Sequence, residues 1–280
     1  MHPGLEWLHG SAAGSAWLDR LPELLAECRE RWSLELEPPF PDAFASLAVP
    51  AGEVVLKIQF PDRESEHEAA ALRAWNGDGA VRLLDEDPGR RALLLERCVP
   101  GTYLSDDPSA LDVLIELLPR LWKPKAAAAP FRTVAEEAEG WRRSLPRAWE
   151  AAGRPFEREL VDAALAALDD LVPTQGEQVL VHQDLHGANV LAAQREPWLV
   201  IDPKPLLGER GLALAPLIRS VELGPGPEAA VGRLDRLTRE LGLDRERARR
   251  WTIAQTIAWS VGSDRLDSHV ELARRLLQAR

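Results

Sequence analysis

The period of apolar and polar positions changes several times along this chain. Residues 16–32 carry Trp17, Leu21, Leu24, Leu25, Cys28 and Trp32 at helical spacing, which predicts an amphipathic helix. Residues 33–37 then alternate as a short strand would, prolines break the pattern over 38–41, and 42–50 read as a second strand. Residues 53–60, EVVLKIQF, form a strong strand pattern in which Lys57 lies between Leu56 and Ile58 and shares a face with Val55 and Gln59. A helix is predicted over 62–75, with Glu64, Glu68, Leu72 and Trp75 along one face. After the turn Asn76-Gly77-Asp78-Gly79, strands at 81–84 and 92–95 flank a Pro88-Gly89 turn.

The pattern then changes from strand-rich to helix-rich at Glu96-Arg97-Cys98-Val99-Pro100-Gly101. Helices are predicted over 107–122, 133–151, 155–171, 212–220, 228–241 and 245–277, the last interrupted at 262–264. Residues 123–130 read as an Ala/Pro connector. The expected fold class is therefore α+β, an antiparallel sheet over 1–98 and a mostly helical part over 99–280, in one large domain or two lobes.

Residues 179–205, VLVHQDLHGANVLAAQREPWLVIDPKP, carry the chemistry. An apolar run, Val179-Leu180-Val181, precedes His182, Asp184 and Asn189 in the spacing H-x-D-x-x-x-x-N, and a second apolar segment from Trp198 to Ile201 ends at Asp202. Two acids and an amide delivered this way suit phosphoryl transfer. Asp184 would orient the attacking hydroxyl and accept its proton, while Asn189 and Asp202 would hold magnesium on nucleotide phosphates. Two other readings stand beside this one. His182, Asp184 and His186 are residue types found in metal hydrolases, and Asp and Asn are also common turn formers.

Charge and composition narrow the partners. The formal net charge of -11 leaves no basic stripe for nucleic acid and is compatible with a cationic small substrate. No apolar run approaches the ~20 residues of a membrane span, and the N-terminus lacks a secretory pattern. Two distant cysteines, Cys28 and Cys98, fit reduced thiols in the cytoplasm. The only lysines are Lys57, Lys123, Lys125 and Lys204, so arginine is the default cation and a lysine inside an apolar strand is informative. Lys57 is expected to pair with an acid on the next helix. Glu68 lies deeper among the apolar positions than Glu64, and both remain candidates.

The 179–205 stretch, together with Leu56-Lys57, residues 74–79, 81–85, 93–97 and 251–260, resembles the aminoglycoside phosphotransferase family. REPWLVIDPKP and GERG resemble its streptomycin 6-phosphotransferase and hydroxyurea phosphotransferase branch, where Asp-Pro replaces the Asp-Phe-Gly of protein kinases. The resemblance implies a two-lobed protein-kinase-like fold with the active site between the lobes. It implies ATP and Mg2+ as cofactors and Lys57, steadied by the glutamate, on the α- and β-phosphates. It also implies an inter-lobe hinge whose main chain meets adenine, carried over to Glu96, Cys98 and Val99.

Two departures follow. PPFPDAF lacks the glycines that cover phosphates in protein kinases, which leaves Ser46 and other backbone for that task. No aspartate falls within 212–215 to cap the catalytic loop, so either Glu209 or Arg210 serves or the contact is absent. Lys204 reads either as a surface lysine or as a cation beside the magnesium site. Asp264, Asp267 and Glu271 read either as a solvated helix face or as a lining for a cationic acceptor, and Trp251 and Trp259 as core. The implied reaction is phosphorylation of an aminoglycoside-type antibiotic or hydroxyurea. The alternatives are a metabolic kinase for an amino sugar and a nucleotide-binding regulator without turnover.

Overall fold

The computed structural model describes residues 3–41, 44–124 and 130–279. The start of the strand expected over 42–50, and Lys125 with most of the 123–130 connector, lie outside the described residues. A 3-10 turn at Pro3–Gly10 leads into α1 (Ala12–Arg31), whose first turn is closed by the Ser11 hydroxyl accepting the Gly14 N–H at 3.0 Å. β1 (Ser46–Ala51) and β2 (Val54–Gln59) pair antiparallel. The strand expected over 33–37 does not form. Glu37 and Phe40 do donate to the carbonyls of Pro50 and Ala48, but Pro38, Pro39 and Pro41 have no N–H to extend a ladder.

The helix expected over 62–75 is also shorter, because α2 spans Glu68–Trp75. Asp62 Oδ1 accepts the N–H groups of Glu64 and Ser65 at 2.7 and 2.8 Å, a local side-chain turn that displaces the first helical turn. β3 (Leu83–Asp87) and β4 (Ala92–Glu96) complete an antiparallel sheet of order β1-β2-β4-β3.

A 3-10 turn at Leu104–Asp106 precedes α3 (Ala110–Leu121). α4 (Val134–Ala151) starts with a reciprocal cap between Thr133 and Glu136, and α5 (Arg158–Leu171) follows. Next come β5 (Val179–His182), a 3-10 turn at Gly187–Asn189, β6 (Val190–Ala192), β7 (Trp198–Val200) and β8 (Pro205–Gly208). The remainder is helical: α6 (Ala215–Arg219), α7 (Pro227–Leu241), α8 (Arg245–Ala258) and α9 (Leu266–Gln278). The run expected over 245–277 is thus two helices, parted where Gly262 adopts a φ of 83°.

The chain divides into two compact units, Met1–Thr102 with Leu191–Asp202, and Tyr103–Val190 with Pro203–Arg280. In the first, Leu47, Val49, Leu56 and Ile58 pack with Leu5, Leu8, Trp17, Leu21 and Leu24 of the N-terminal elements. Strand alternation therefore sends Lys57 and Gln59 to the opposite face. In the second unit α8 is central, with Trp251, Ala254 and Ile257 fully buried and α5, α6, α7 and α9 packed around it. Among the described residues, no helix is long and apolar enough to cross a membrane.

One packing detail of the second unit predicts acid sensitivity. His269, on α9, is 8% exposed and its Nδ1 has no hydrogen-bond partner among the described residues. Burial, then the charges of Arg219 and Arg265, hold its pKa down at about 4 against Asp264, where an ordinary histidine has 6.5. The unfolded chain binds this proton first, so the folded state loses stability as pH falls from 6.5 towards 4. The loss from this group at pH 5 is ~2 kcal/mol relative to neutral pH. Urea midpoints at pH 7.5 and 5 for the wild type and His269→Gln measure it: the wild type should lose markedly more than the variant.

Candidate active site

Two constellations hold the residues singled out in the sequence, one in each unit. In the second unit, β5 pairs antiparallel with β8 so that His182 faces Pro205, and the Gln183 N–H donates to the Lys204 carbonyl at 3.0 Å. That register carries Lys204 to the loop, where its Nζ donates to Asp184 Oδ2 at 2.7 Å. Lys204 is 23% exposed in its side chain and belongs to an ion pair, so the surface-lysine reading does not hold. Arg219, from the end of α6, reaches Asp184 Oδ1 at 3.4 Å. Burial pushes the Asp184 carboxyl up, but Lys204, His186 and Arg219 outweigh it and hold the group below the usual carboxylate range. Asp184 is therefore an ionised, largely buried carboxylate at neutral pH.

The loop around it is held from three sides. His182, 2% exposed, accepts the Asp184 N–H through Nδ1 at 3.1 Å, which puts the proton of the neutral ring on Nε2. Asn189 Nδ2 donates to the Asp184 carbonyl at 2.8 Å and stands 3.2 Å from His186 Nε2. This orientation leaves Asn189 Oδ1 as the atom for an external partner. Gly187 lies so close to Ser105 that a Cβ would fall 2.7 Å from its N and Cα, and any side chain there displaces the loop.

The third support was missed in the sequence. Gln255 of α8 is fully buried, donates to the Gln183 carbonyl at 3.0 Å and accepts from Arg219 at 2.6 Å. The Arg219 guanidinium lies 4.6 Å over the Trp259 ring. A buried Gln on an otherwise apolar helix face is a signal, but nothing in its neighbourhood in sequence names its partner.

Glu209 and Arg210 do not fill the capping role expected of them. Glu209 binds Arg247 and the Trp251 indole, and Arg210 binds Glu177. Asp264, Asp267 and Glu271 are exposed.

In the first unit, Lys57 Nζ donates to both carboxylate oxygens of Glu68, at 2.8 and 2.7 Å, and to Asp202 Oδ1 at 2.5 Å. Gln59, two residues along the same strand face, donates to Glu68 Oε2 at 2.6 Å. Glu68 is fully buried as the first residue of α2, whereas Glu64 lies before the helix. Burial pulls Lys57 towards neutrality, but Asp202 and Glu68 prevail and raise its pKa above that of an ordinary lysine. Asp202 has a φ of 51°, a left-handed conformation rare for a residue before proline, and its side chain is 41% exposed. The segment expected to serve as a hinge, Glu96 to Val99, is also in this unit. The Glu96 carboxylate is engaged by Arg195 and by the Arg82 N–H, and its own N–H donates to the Arg82 carbonyl at 3.0 Å, which leaves its main-chain carbonyl. Among the described residues, no hydrogen bond takes up the Cys98 N–H and carbonyl or the Val99 N–H.

The donor set fits magnesium rather than zinc. The two residues expected to hold the metal, Asn189 of the second unit and Asp202 of the first, each offer a hard oxygen, the kind of donor Mg2+ takes alongside phosphates. No group of three or more His, Cys, Asp or Glu able to hold a metal gathers among the described residues, so the hydrolase ligand set is not assembled.

The model of the aminoglycoside/hydroxyurea antibiotic resistance kinase family matches residues 31–265. A hydroxyurea phosphotransferase from Kitasatospora aureofaciens is 41% identical over 90% of this chain and 77% of its own length. A streptomycin 6-kinase from Streptomyces glaucescens is 39% identical over 94% and 91%. A choline/ethanolamine kinase family protein from Mesorhizobium loti, at 16% identity, shares the fold with a TM-score of 0.64 over 91% of this chain and 95% of its own. So does a thermostable mutant of aminoglycoside phosphotransferase APH(4)-Ia, solved with ADP and hygromycin B, at 13% identity and a TM-score of 0.62 over 90% and 96%. The fold is protein-kinase-like, with an antiparallel sheet in its N-terminal region and helices in its C-terminal region. The chain belongs to the aminoglycoside/hydroxyurea antibiotic resistance kinase family.

Proposed function

We propose that this chain transfers the γ-phosphoryl group of ATP, in the cytoplasm, to a hydroxyl of a streptomycin-like aminoglycoside or of hydroxyurea. The observation that carries the reading is the ionised Asp184 carboxylate, held by Lys204 and Arg219 in a loop braced by His182 and Asn189. The two acceptor classes come from the relatives that share about two-fifths of their residues with it. The net charge of -11 suits the cationic acceptor of the two.

Each residue has a task that its surroundings support. Asp184 orients the acceptor hydroxyl and takes its proton as the new P–O bond forms. Lys204, already on Asp184, supplies positive charge beside the transferring group. Lys57, kept protonated by Asp202 and Glu68, serves the α- and β-phosphates, and the main chain of Glu96, Cys98 and Val99 serves adenine. Asn189 Oδ1 and Asp202 would hold Mg2+, which would offset the charge of the phosphates when bound.

Asp202→Ala is accordingly expected to weaken MgATP binding by tenfold or more, on the order of a lost ion-mediated contact, and magnesium-free ATP binding far less. Calorimetric titrations with and without magnesium check this, and equal losses in both would refute the ligand role. The function itself is tested by assaying acceptor-dependent ADP release over streptomycin, other aminoglycosides, hydroxyurea and amino sugars. Turnover only with amino sugars would overturn the acceptor assignment.

A further inference from the structure

Arg195 stands in the turn between β6 and β7, and every N–H of its guanidinium is used. Nε donates to Glu96 Oε1 at 2.8 Å, and the two NH2 protons go to Glu96 Oε2 at 3.0 Å and the Ala80 carbonyl at 2.9 Å. Those of NH1 go to the Gly77 carbonyl and Glu196 Oε1, at 2.7 and 2.8 Å. Five donors on a rigid fork are thus spent on three separate stretches of chain, a pattern lysine has neither the donors nor the geometry to reproduce. The pair is ionised on both sides. Burial pushes Glu96 up, but Arg195 and the Arg82 N–H prevail and lower its pKa, and Glu96 raises that of Arg195.

The location of these bonds gives them a consequence. Glu96 is the last residue of β4, and 97–102 follows it directly. At the far end of that segment the Gly101 N–H donates to the Ala192 carbonyl at 3.0 Å and the Ala192 N–H to the Thr102 carbonyl at 2.9 Å. Both ends are therefore moored to one hairpin, β6–β7: the first through the side chain of Arg195, the second through the main chain of Ala192. The main-chain groups of Cys98 and Val99 that no hydrogen bond takes up lie between the moorings. β7 has an anchor of its own, since Val200 pairs with the Gly79 carbonyl and the Val81 N–H at 2.9 and 3.0 Å. Asp202, two residues further on, thus follows a strand held by these main-chain bonds besides the side-chain bonds of Arg195 to Gly77 and Ala80.

We propose that Arg195 is a positioning residue for the nucleobase. Through Glu96 it fixes the start of the 97–102 segment, so that the open main-chain groups of Cys98 and Val99 hold the spacing an adenine edge requires. The proposal rests on the ATP reading above and adds to it the residue that sets the base-recognising backbone.

The test compares two ligands that share phosphates and differ in the base. Calorimetry of magnesium-ADP and of magnesium-tripolyphosphate is run on the wild type, Arg195→Met and Arg195→Lys. Loss of the fork should weaken ADP by about tenfold or more, as expected for losing part-buried charge-assisted hydrogen bonds. Tripolyphosphate should stay within about twofold, and Arg195→Lys should recover only part of the ADP affinity. Glu96→Gln keeps the shape of the acceptor while removing its charge. It should show a smaller ADP loss of the same kind, and it carries the test if Arg195→Met does not fold. Equal affinities for ADP in wild type and variants, with only the melting temperature lowered, would overturn the proposal, as would equal losses for both ligands. A wild type that binds no ADP would instead refute the ATP reading beneath it.

Discussion

Asp184→Asn is expected to lower the rate of phosphoryl transfer on the order of 10²–10⁴-fold, the range general-base removal commands, while nucleotide affinity stays near that of the wild type. The amide matches the carboxylate in shape and still offers an oxygen to Lys204, whose Nζ stands 2.7 Å from Oδ2. It cannot accept the proton of the attacking hydroxyl. The loop should persist, because the contacts that shape it use the Asp184 main chain: its N–H on His182 and its carbonyl under Asn189. Single-turnover rapid quench separates transfer from product release, and near-normal transfer by this variant would remove Asp184 from its role.

The second large effect lies at Lys57 and Glu68. Glu68→Ala leaves a buried ammonium, 7% exposed, with Asp202 alone as its counter-charge, and breaking a buried pair in this way costs roughly 3–5 kcal/mol. Lys57→Ala leaves the fully buried Glu68 with Gln59 as its one side-chain donor among the described residues. Each single variant should lose turnover and stability together, and the double variant should lose much less than the sum. A double-mutant cycle on kcat/KM and on the urea midpoint measures both couplings. Additive rate effects would confine the pair to a structural role.

The sequence carries some of this arrangement openly and conceals the rest, for physical reasons. His182, Asp184 and Asn189 are legible because one loop holds them and their spacing is local. Lys57 stands out because a lone lysine interrupts an apolar strand. The amphipathic pattern favoured Glu68 over Glu64 by depth, yet it mistook where the helix begins. Asp62 captures two amides that the helix would otherwise use, and side-chain competition of that kind leaves no trace in periodicity. Prolines likewise suppressed the strand expected over 33–37. The residues missed altogether act across long separations: Gln255 on Gln183, Arg219 on Asp184 and Arg195 on Glu96. In a chain whose default cation is arginine, a single Arg carries no signal until the fold shows what it touches.

The central claim is a phosphoryl transfer to a small-molecule hydroxyl with Asp184 as base. The most direct measurement follows the label of γ-labelled ATP, with magnesium and either streptomycin or hydroxyurea, in the wild type and in Asp184→Asn. The account predicts label covalently attached to one of these acceptors with the wild type and almost none with the variant. Label found only in free phosphate, or equal labelling of the acceptor by both proteins, would contradict it.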